Sequence, residues 1–357
     1  MTTDIAIRKN VDRLHRIRST RYPETPIALV SGPRVELSVG DPDQPFWIAS
    51  VDKVFIATLI AQLFDEGHCS PDSRIGDVLP AAEVALLPTV DGVDAGRDIT
   101  VQHLLSHTAG LPDIMLPPRG HHSACSIKQI QAAPERVWTT PEMLSQVEHL
   151  PAIARPGESF LYGDTAYLLL IRTLEEARGQ RFGEQLRDRI FELSGMTTSA
   201  EWASSDAESL QPLAQKLAPF WLDKTVRGNP QDFAPNLTWR SGIGGVSTAN
   251  DLVRFQQTLH TGNLCDLKWL ELMSTPRNRL RPGIHYGTGM VTLRFGGFSP
   301  WMHRYPQPIG GLGYTAIHMF YYPQQRTHLI LNFHAHARMR KSFMAHIRLA
   351  QLIKDHG

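Results

Sequence analysis

Residues 46–63 read FWIASVDKVFIATLIAQL, a stretch that sets one serine and one lysine into an otherwise apolar segment. Good helix formers follow Ser50, and Gly67 is placed to end a helix as a C′ residue, so we expect a helix from about Ser50 to Glu66. Its apolar side chains cover most of the circumference instead of one stripe, which predicts a helix buried on nearly all sides. Lys53 is therefore expected to be buried.

Ser50 and Lys53 are three residues apart, so their side chains share one face of the helix and can meet within hydrogen-bonding distance. Burial disfavours the charged form of lysine and lowers its pKa, which makes a neutral amine available to take the serine proton. Backbone N–H groups at a helix N-terminus also stabilise a developing oxyanion. Ser50 is thus a candidate nucleophile. The alternative is an ordinary N-cap serine beside a snorkelling lysine, and the Ser-x-x-Lys pair alone does not separate the two.

Composition narrows the class of partner. The chain has 357 residues with 42% hydrophobic content, enough for a sizeable core in one large domain or two lobes. Its 36 basic and 35 acidic residues form no long run of either sign, so we expect a small-molecule partner, no nucleic acid and no membrane. Neither a signal-peptide core nor a run of about 18 apolar residues is present. The three cysteines are scattered and fit neither a disulfide framework nor a metal site: Cys69, Cys125 and Cys265. We expect a cytoplasmic protein without a cofactor.

The order of the predicted elements indicates the fold class. An amphipathic helix is expected near the start of the chain and a basic one over 340–354, and the chain from about 59 to 234 reads mostly as helix and loop. The β-type runs are 26–30, 35–39, 286–295, 314–322 and 327–333. Both ends of the chain therefore build one antiparallel sheet, flanked by the terminal helices, around an inserted helical lobe. This predicts a single α/β (α+β) catalytic domain over 1–357. Its two lobes are an α/β lobe of about 1–58 plus 236–357 and a helical lobe of about 59–235.

Local signals predict several boundaries inside this plan. Thr100 should cap a helix that runs to His107, and Thr140 should cap another with proline at its first position. The segment 112–139 has no clear period and reads as a long loop. Ser241 to Thr248 is a glycine-rich approach to a helix capped by Thr248.

Three pieces stand in a particular order: Ser-x-x-Lys entering a buried helix, Tyr162-Gly163-Asp164 entering another about 110 residues later, and Gly311-Leu312-Gly313 opening a late strand. This order resembles the serine β-lactamase and penicillin-binding-protein superfamily. Order, spacing and the surrounding sequence are most similar to the branch that holds class C β-lactamases, D-Ala-D-Ala carboxypeptidases, D-aminopeptidases and family VIII carboxylesterases. The resemblance covers most of the chain from about Pro26 onward.

The resemblance implies a role for each matched residue. Ser50 is the acylated nucleophile, Lys53 its proton acceptor or relay, and Tyr162 a general base that later acts as acid to the leaving group. The family's oxyanion hole consists of two backbone N–H groups, here those of Ser50 and Tyr314. A tyrosine such as Tyr162 can instead be a core aromatic with its hydroxyl on a backbone carbonyl.

Two positions depart from the family pattern. Asp164 stands where asparagine is usual, and it could hold Lys53 charged or cap the helix that follows. Gly311 stands where relatives carry the lysine or histidine that helps hold a substrate carboxylate. With Leu312 and Gly313 these residues are expected to line the substrate site, and the loss of the cation at Gly311 favours an uncharged ester or amide over a penicillin.

Several histidines are candidate metal ligands or site residues. His103 and His107 are four apart, a spacing that can bind zinc, but no Glu follows His103 and no third ligand is evident. His334 and His336 are expected to alternate onto one face of the last strand, and His303 lies upstream of Gly311. We expect no metal.

These patterns predict a serine hydrolase that forms an acyl-enzyme on a small ester or amide. One alternative is an acyltransferase, in which the same residues pass the acyl group to an alcohol or amine. The other is a catalytically silent binding protein on the same scaffold, which the departures at Asp164 and Gly311 suggest.

Overall fold

The segment that carries Ser50 and Lys53 forms two helical pieces in succession. In the computed structural model, a 3₁₀ turn spans Ala49–Val51 and the α-helix Asp52–Asp65 follows it directly. All residues of this helix but the last are buried, and Lys53 is only 1% exposed. Gly67 has φ +74°, a left-handed conformation that glycine adopts without steric cost. The predicted buried helix is confirmed, although Ser50 itself belongs to the preceding 3₁₀ turn.

The structure describes residues 3–17, 22–133, 136, 138–201, 212–222, 227–228 and 244–357. The α-helices within these ranges are α1 Thr3–His15, α2 Asp52–Asp65, α3 Ile75–Val78, α4 Ala81–Val84, α5 Ala95–Asp98, α6 Val101–Leu105, α7 Ile127–Ala132, α8 Thr140–Glu148, α9 Thr165–Arg178, α10 Phe182–Leu186, α11 Glu192–Ser194, α12 Ala249–His260, α13 Leu267–Ser274 and α14 Met339–His356. A π-helical stretch, Arg187–Phe191, joins α10 to α11. Further 3₁₀ turns are Phe295–Gly297, Pro300–Met302 and His336–Arg338. None of the helices so described is long and apolar enough to cross a membrane.

One antiparallel sheet is built from both ends of the chain, as predicted. The described strands are β1 Ile27–Ser31, β2 Glu36–Val39, β3 Phe46–Trp47, β4 Ala200–Glu201, β5 Phe220–Trp221, β6 Arg227–Gly228, β7 Gly245–Ser247, β8 Asn278–Arg281, β9 Ile284–Tyr286, β10 Val291–Leu293, β11 Ile309–Gly313, β12 Ile317–Tyr322 and β13 Thr327–Asn332. The main sheet has the order β2-β1-β13-β12-β11-β10-β9-β8. Smaller groups are β3-β7-β4 and β5-β6. Because β13 pairs with both β1 and β12, strands from the beginning and the end of the chain lie side by side in the sheet.

The main sheet contains more strands than the sequence predicted. The predicted run 286–295 is instead β9, a turn and β10, and the run 314–322 begins only at Ile317. Two strands were missed. β8 is an edge strand of alternating exposure, and β11 reads IGGLG, a sequence of low strand propensity that is extended because it pairs with a neighbour on each side. Gly311-Leu312-Gly313 therefore ends its own strand; it does not open the next one.

Different helices cover the two faces of the sheet. Successive residues of a strand face opposite sides, so Leu329 and Leu331 of β13 pack into one apolar cluster and Ile330 into the other. The first cluster includes Leu349 of α14, together with residues of α1. The second includes Phe255 of α12 and most of α2. The nucleophile helix thus lies in the core on the face opposite both terminal helices.

A buried chain of hydrogen bonds fixes α14 to β12. Ser342 Oγ donates to the Met339 carbonyl at 2.8 Å, so the hydroxyl proton is committed and His318 Nε2–H must donate to Ser342 Oγ, also at 2.8 Å. His318 Nδ1 then accepts from His346 Nδ1–H at 2.9 Å, and His346 Nε2 accepts from the Tyr322 hydroxyl at 2.8 Å. Each imidazole is held as one neutral tautomer. Burial lowers the pKa of His318 to about 3.

Local boundaries differ from the sequence prediction in small ways. Thr100 caps α6 as expected, but α6 ends at Leu105. The cap of α8 is Thr139, one residue earlier than predicted, because the Thr139 hydroxyl accepts the N–H of the third helical residue. The predicted loop 112–139 contains the short helix α7. Residues 241–243 of the glycine-rich segment and the lobe boundary at 235/236 lie outside the described residues, and the division into two lobes stays a prediction.

Candidate active site

Ser50 is presented by a strained turn between two fully buried neighbours. Ala49 has φ +49°, an uncommon backbone conformation for a residue other than glycine. Ala49 and Val51 are buried, whereas Ser50 is only half-buried. The Ile48 N–H donates to the Gly245 carbonyl at 3.0 Å, which ties the turn to β7. Strained backbone of this kind persists where the surrounding structure holds it, and it points the Ser50 side chain out of the core.

Lys53 lies one helical turn beyond Ser50 and pairs with the carboxylate of Asp164, the residue that precedes α9. Lys53 Nζ is 3.4 Å from Ser50 Oγ, and it forms a short hydrogen-bonded ion pair with Asp164 Oδ1. The two paired side chains are 2% and 13% exposed. Asp164 makes no side-chain hydrogen bond as the N-cap of α9, so of the two roles predicted for it, the structure has the one that holds Lys53 charged.

The ion pair reverses the expected ionisation of Lys53. Burial by itself lowers the pKa of Lys53, but the Asp164 carboxylate, together with Tyr162 and Tyr167, raises the pKa above the ordinary lysine value. The prediction of a neutral amine next to Ser50 is therefore wrong. Lys53 is an ammonium group that donates hydrogen bonds and supplies positive charge to the site.

Tyr162 lies beside this ammonium group. Its side chain lies near Ser50, and Lys53 Nζ is 5.5 Å from the centre of its ring. Burial raises the pKa of the Tyr162 phenol, and the charge of Asp164 raises it further, whereas Lys53 and the nearby Ser50 hydroxyl lower it. The structure thus brings together the hydroxyl, the amine and the phenol that the sequence singled out.

A pair of tyrosines closes the site behind Lys53. Tyr167 of α9 donates its hydroxyl to the Leu105 carbonyl at 3.2 Å and lies 2.9 Å from the Tyr286 hydroxyl. Lys53 Nζ is 5.4 Å from the centre of the Tyr167 ring. Both phenols are buried, and burial raises the pKa of each. These neutral rings exclude water from one side of the ammonium group.

The end of β11 lies directly against the turn that carries Ser50. A Cβ on Gly313 would be 2.7 Å from the Ile48 carbonyl oxygen, and one on Gly311 would be 3.0 Å from Val54 Cγ2. Both glycines therefore allow the strand backbone to approach α2 more closely than a side chain permits. Leu312, between them, alternates to the other face of the strand and packs on the cluster that contains α14.

Tyr314, the predicted second oxyanion residue, follows β11 immediately. Its ring stacks on His336 with 4.1 Å between ring centres and an angle of 13°, and His336 Nδ1 lies 3.0 Å from the Tyr314 carbonyl oxygen. This pairing fixes the peptide that follows Gly313 next to the Ser50 turn.

Two buried carboxylates near the site were missed by the sequence reading. Asp113 Oδ1 accepts the Asp164 N–H at 3.1 Å and the Met115 N–H at 3.0 Å. Burial, with Asp164 nearby, raises the pKa of Asp113 to about 7. Burial likewise raises the pKa of Asp52, one residue before Lys53, to about 7. An aspartate in a loop or a helix gives no sequence signal of this kind, because burial comes from distant segments.

The remaining histidines do not form the arrangements considered from the sequence. His103 Nδ1 accepts the Thr100 N–H in the capping box of α6, whereas His107 is buried against the aromatic ring of Tyr162. β13 ends at Asn332, so His334 and His336 follow the strand instead of alternating along it. His303 lies exposed after a 3₁₀ turn. Across the described ranges, no group of three or more His, Cys, Asp or Glu side chains is arranged to hold a metal ion.

Comparison with known proteins agrees with this geometry. The family model described as Beta-lactamase matches residues 35–351. The chain belongs to the beta-lactamase family. This confirms the resemblance drawn from the three motifs. Penicillin-binding protein 4 of Amycolatopsis lactamdurans is 31% identical over 157 residues, which are 44% of this chain and 36% of that protein. The chain spans from 36% to 60% of the length of three penicillin-binding relatives that it matches.

Solved structures share the fold of this beta-lactamase family member over nearly its whole length. D-amino acid amidase from Ochrobactrum anthropi SV3, complexed with L-phenylalanine amide, gives a TM-score of 0.77 at 20% identity and covers 99% of both chains. EstCE1, described as a hydrolase with promiscuous acyltransferase activity, gives 0.74 at 17% identity and covers 98% of this chain and 99% of that one. At these identities the likeness shows the fold, a mixed α/β architecture with an antiparallel sheet.

Proposed function

We propose that this protein is a serine hydrolase that cleaves small amides or esters through an acyl-enzyme on Ser50. The observation that carries the proposal is the grouping of three side chains: Ser50 Oγ is 3.4 Å from Lys53 Nζ, and Lys53 Nζ is 5.5 Å from the centre of the Tyr162 ring. A hydroxyl within reach of a cation and a phenol in a largely dry site is the arrangement that an activated nucleophile requires.

The structure supports a division of labour in which Tyr162 moves the proton and Lys53 stays charged. Ser50 Oγ attacks the acyl carbon while its proton passes to Tyr162 in its ionised form, a minor species because burial raises the pKa of the phenol. The Lys53 ammonium stabilises the negative charge of this phenolate. The backbone N–H groups of Ser50 and Tyr314 donate to the oxyanion of the tetrahedral intermediate. The bond to the leaving nitrogen or oxygen then breaks as Tyr162 returns the proton to it. Water deacylates Ser50 by the same steps in reverse.

We infer that the preferred substrate has no carboxylate next to the scissile bond. Gly311 supplies no side chain at the position where relatives carry a cation, and a Cβ there would lie 3.0 Å from Val54 Cγ2, so a side chain would require Val54 to shift. The charge of Lys53 is already engaged by Asp164. A substrate carboxylate would therefore be desolvated beside Asp164 without a new partner, which is unfavourable.

Acyl transfer to an alcohol or amine is a second candidate, because only the acceptor in the last step differs. The fold shared with EstCE1, a hydrolase with promiscuous acyltransferase activity, makes this worth measuring. Release of p-nitrophenol from an activated ester with and without added alcohols or amines separates the two. Product acylated on the added nucleophile supports transfer, and hydrolysis that no acceptor affects supports the hydrolase.

The acyl-enzyme proposal is tested by intact-mass analysis after treatment with a fluorophosphonate. We expect one adduct on the wild-type protein, its loss in Ser50→Ala, and its retention in the control variant Ser70→Ala, which changes an exposed serine. The absence of an adduct on folded wild-type protein would instead indicate a catalytically silent binding protein.

A further inference from the structure

His107 is a buried residue that contacts the segment around Tyr162, and the proposed chemistry does not use it. It lies two residues after α6, is 2% exposed, and has φ +56°. A left-handed conformation is uncommon outside glycine, and histidine, asparagine and aspartate are the residues that adopt it most readily. The backbone is therefore held in this conformation by what surrounds it.

His107 accepts hydrogen bonds from the residues on both sides of Tyr162. Its carbonyl oxygen accepts the Leu161 N–H at 3.0 Å, and its Nδ1 accepts the Gly163 N–H at 3.4 Å. Its ring centre is 4.4 Å from that of Tyr162. The next residue along, Asp164, is held in a similar way, because its N–H donates to the Asp113 carboxyl group. The chain on either side of the phenol is thus fixed by one short segment after α6.

The hydrogen bonds determine the tautomer of His107. Because Nδ1 accepts the hydrogen bond from the Gly163 N–H, the ring proton of the neutral form is on Nε2. Nε2 is buried and has no hydrogen-bond partner among the described residues. The rings of Tyr167 and Tyr286 lie around it, with centres 5.0 and 4.8 Å from that of His107. An N–H directed at aromatic faces makes a weak favourable contact.

The hydrogen bonding, the burial and the nearby charge of His107 all disfavour its protonation. An imidazolium would lose the bond from Gly163, since Nδ1 would then carry a proton of its own. Burial, together with the charge of Lys53, holds the pKa of His107 well below its usual range. The other titratable groups that face it are the phenols of Tyr162, Tyr167 and Tyr286, and none of these rings offers it a counter-charge.

We propose that His107 is a positioning residue that holds the Tyr162 phenol against Ser50 through the two flanking amides, as a permanently neutral Nε2–H tautomer. This proposal rests on the proposed role of Tyr162. His107 exchanges no proton with substrate and binds no metal; it decides where the proton-transferring phenol lies.

Two substitutions at His107 distinguish the role of its hydrogen-bond acceptor from the role of its ring. Asparagine tolerates the left-handed backbone and offers Oδ1 near the position of Nδ1, whereas phenylalanine keeps a flat ring without an acceptor. The single-turnover acylation rate with a p-nitrophenyl ester should fall about 10- to 100-fold in His107→Phe, the cost of an ångström-scale misplacement. It should be largely restored in His107→Asn, and the pH values of the limbs of the rate profile should be unchanged in both. Equal losses in the two variants, or a limb that disappears in both, would overturn the proposal.

Nitrogen NMR on wild-type protein labelled at histidine provides a readout that needs no activity. We expect the ring signals that vanish in His107→Asn to report a neutral Nε2–H tautomer from pH 5 to pH 9. An Nδ1–H tautomer or an imidazolium in this pH range would contradict the proposed positioning role of His107, whatever the enzymatic activity. Failure of the fluorophosphonate test with the expected tautomer present would instead overturn the proposed function and leave the hydrogen-bonding geometry of His107 established.

Discussion

Replacing Asp113 by asparagine should change how the stability of the protein depends on pH. Burial and the nearby Asp164 charge raise the pKa of Asp113 from 3.8 to about 7. In the window between these two values the folded protein keeps a proton that the unfolded chain has released. The free energy of unfolding therefore falls as pH rises, by about 1.4 kcal/mol per pH unit for this one group.

The size of the effect follows from that window. Between pH 5 and pH 7, ionisation of Asp113 should remove at most about 3 kcal/mol of stability from the wild-type protein. Asparagine retains an oxygen that can accept the Asp164 and Met115 N–H groups but does not titrate. The difference in unfolding free energy between Asp113→Asn and wild type should therefore shift by about 3 kcal/mol in favour of the variant between these pH values.

Urea denaturation at pH 5, 6, 7 and 8, followed by tryptophan fluorescence and by circular dichroism, measures this difference. Titrations that the two proteins share cancel when one curve is subtracted from the other. Asp77→Asn, which changes an exposed aspartate of α3, is the matched control for the substitution itself. If the difference in unfolding free energy between Asp113→Asn and wild type is constant with pH, or if the variant becomes relatively less stable as pH rises, Asp113 is not protonated in the folded protein.

Three further changes test other parts of the molecule. Lys53→Arg should reduce acylation by about 100-fold or more with the fold retained, because a planar guanidinium does not replace a compact ammonium; normal acylation would remove Lys53 from the mechanism. Asp164→Asn removes a charge that raises the pKa of both Lys53 and Tyr162, so the rising limb of kcat/KM should move to lower pH; an unmoved limb would argue against Tyr162 as proton acceptor. The low pKa of His318 means that stability from the neutral form is lost as pH falls from 6.5 toward about 3. His346→Gln should break the buried hydrogen bonds between α14 and β12 and lower the melting temperature most at neutral pH. If the melting temperatures of the variant and the wild type fall equally as the pH is lowered, these histidines do not contribute to the acid sensitivity of the protein.

The parts of the site that depend on local sequence could be predicted from it. The all-round apolar pattern of α2 requires burial wherever that helix lies, and the spacing of Ser50 and Lys53 fixes their approach by helix geometry alone. The cap at Thr100 is local in the same sense. Predictions of this kind survive because few distant residues can change them.

Features that depend on distant segments were predicted poorly. The pKa of Lys53 has the opposite direction from the expected one because its partner, Asp164, lies 111 residues away and reaches it only in the folded chain. β11 is a strand only because β10 and β12 flank it, and its glycines give no local signal. Asp113 and His107 lie in loop segments whose importance appears only when the Tyr162 segment packs on them.

The pairing of the main sheet has a consequence for how the protein is made. Ile27 pairs with Asn332, so the first strand waits for nearly the whole chain before it acquires its inner neighbour. β11, which lies against the Ser50 turn, likewise has a neighbour on each side only after β12 has been synthesised. A nascent chain on the ribosome thus carries the serine, the lysine and the tyrosine long before it has the wall that completes their surroundings. The surroundings of Ser50 are therefore complete only after β12 has been synthesised.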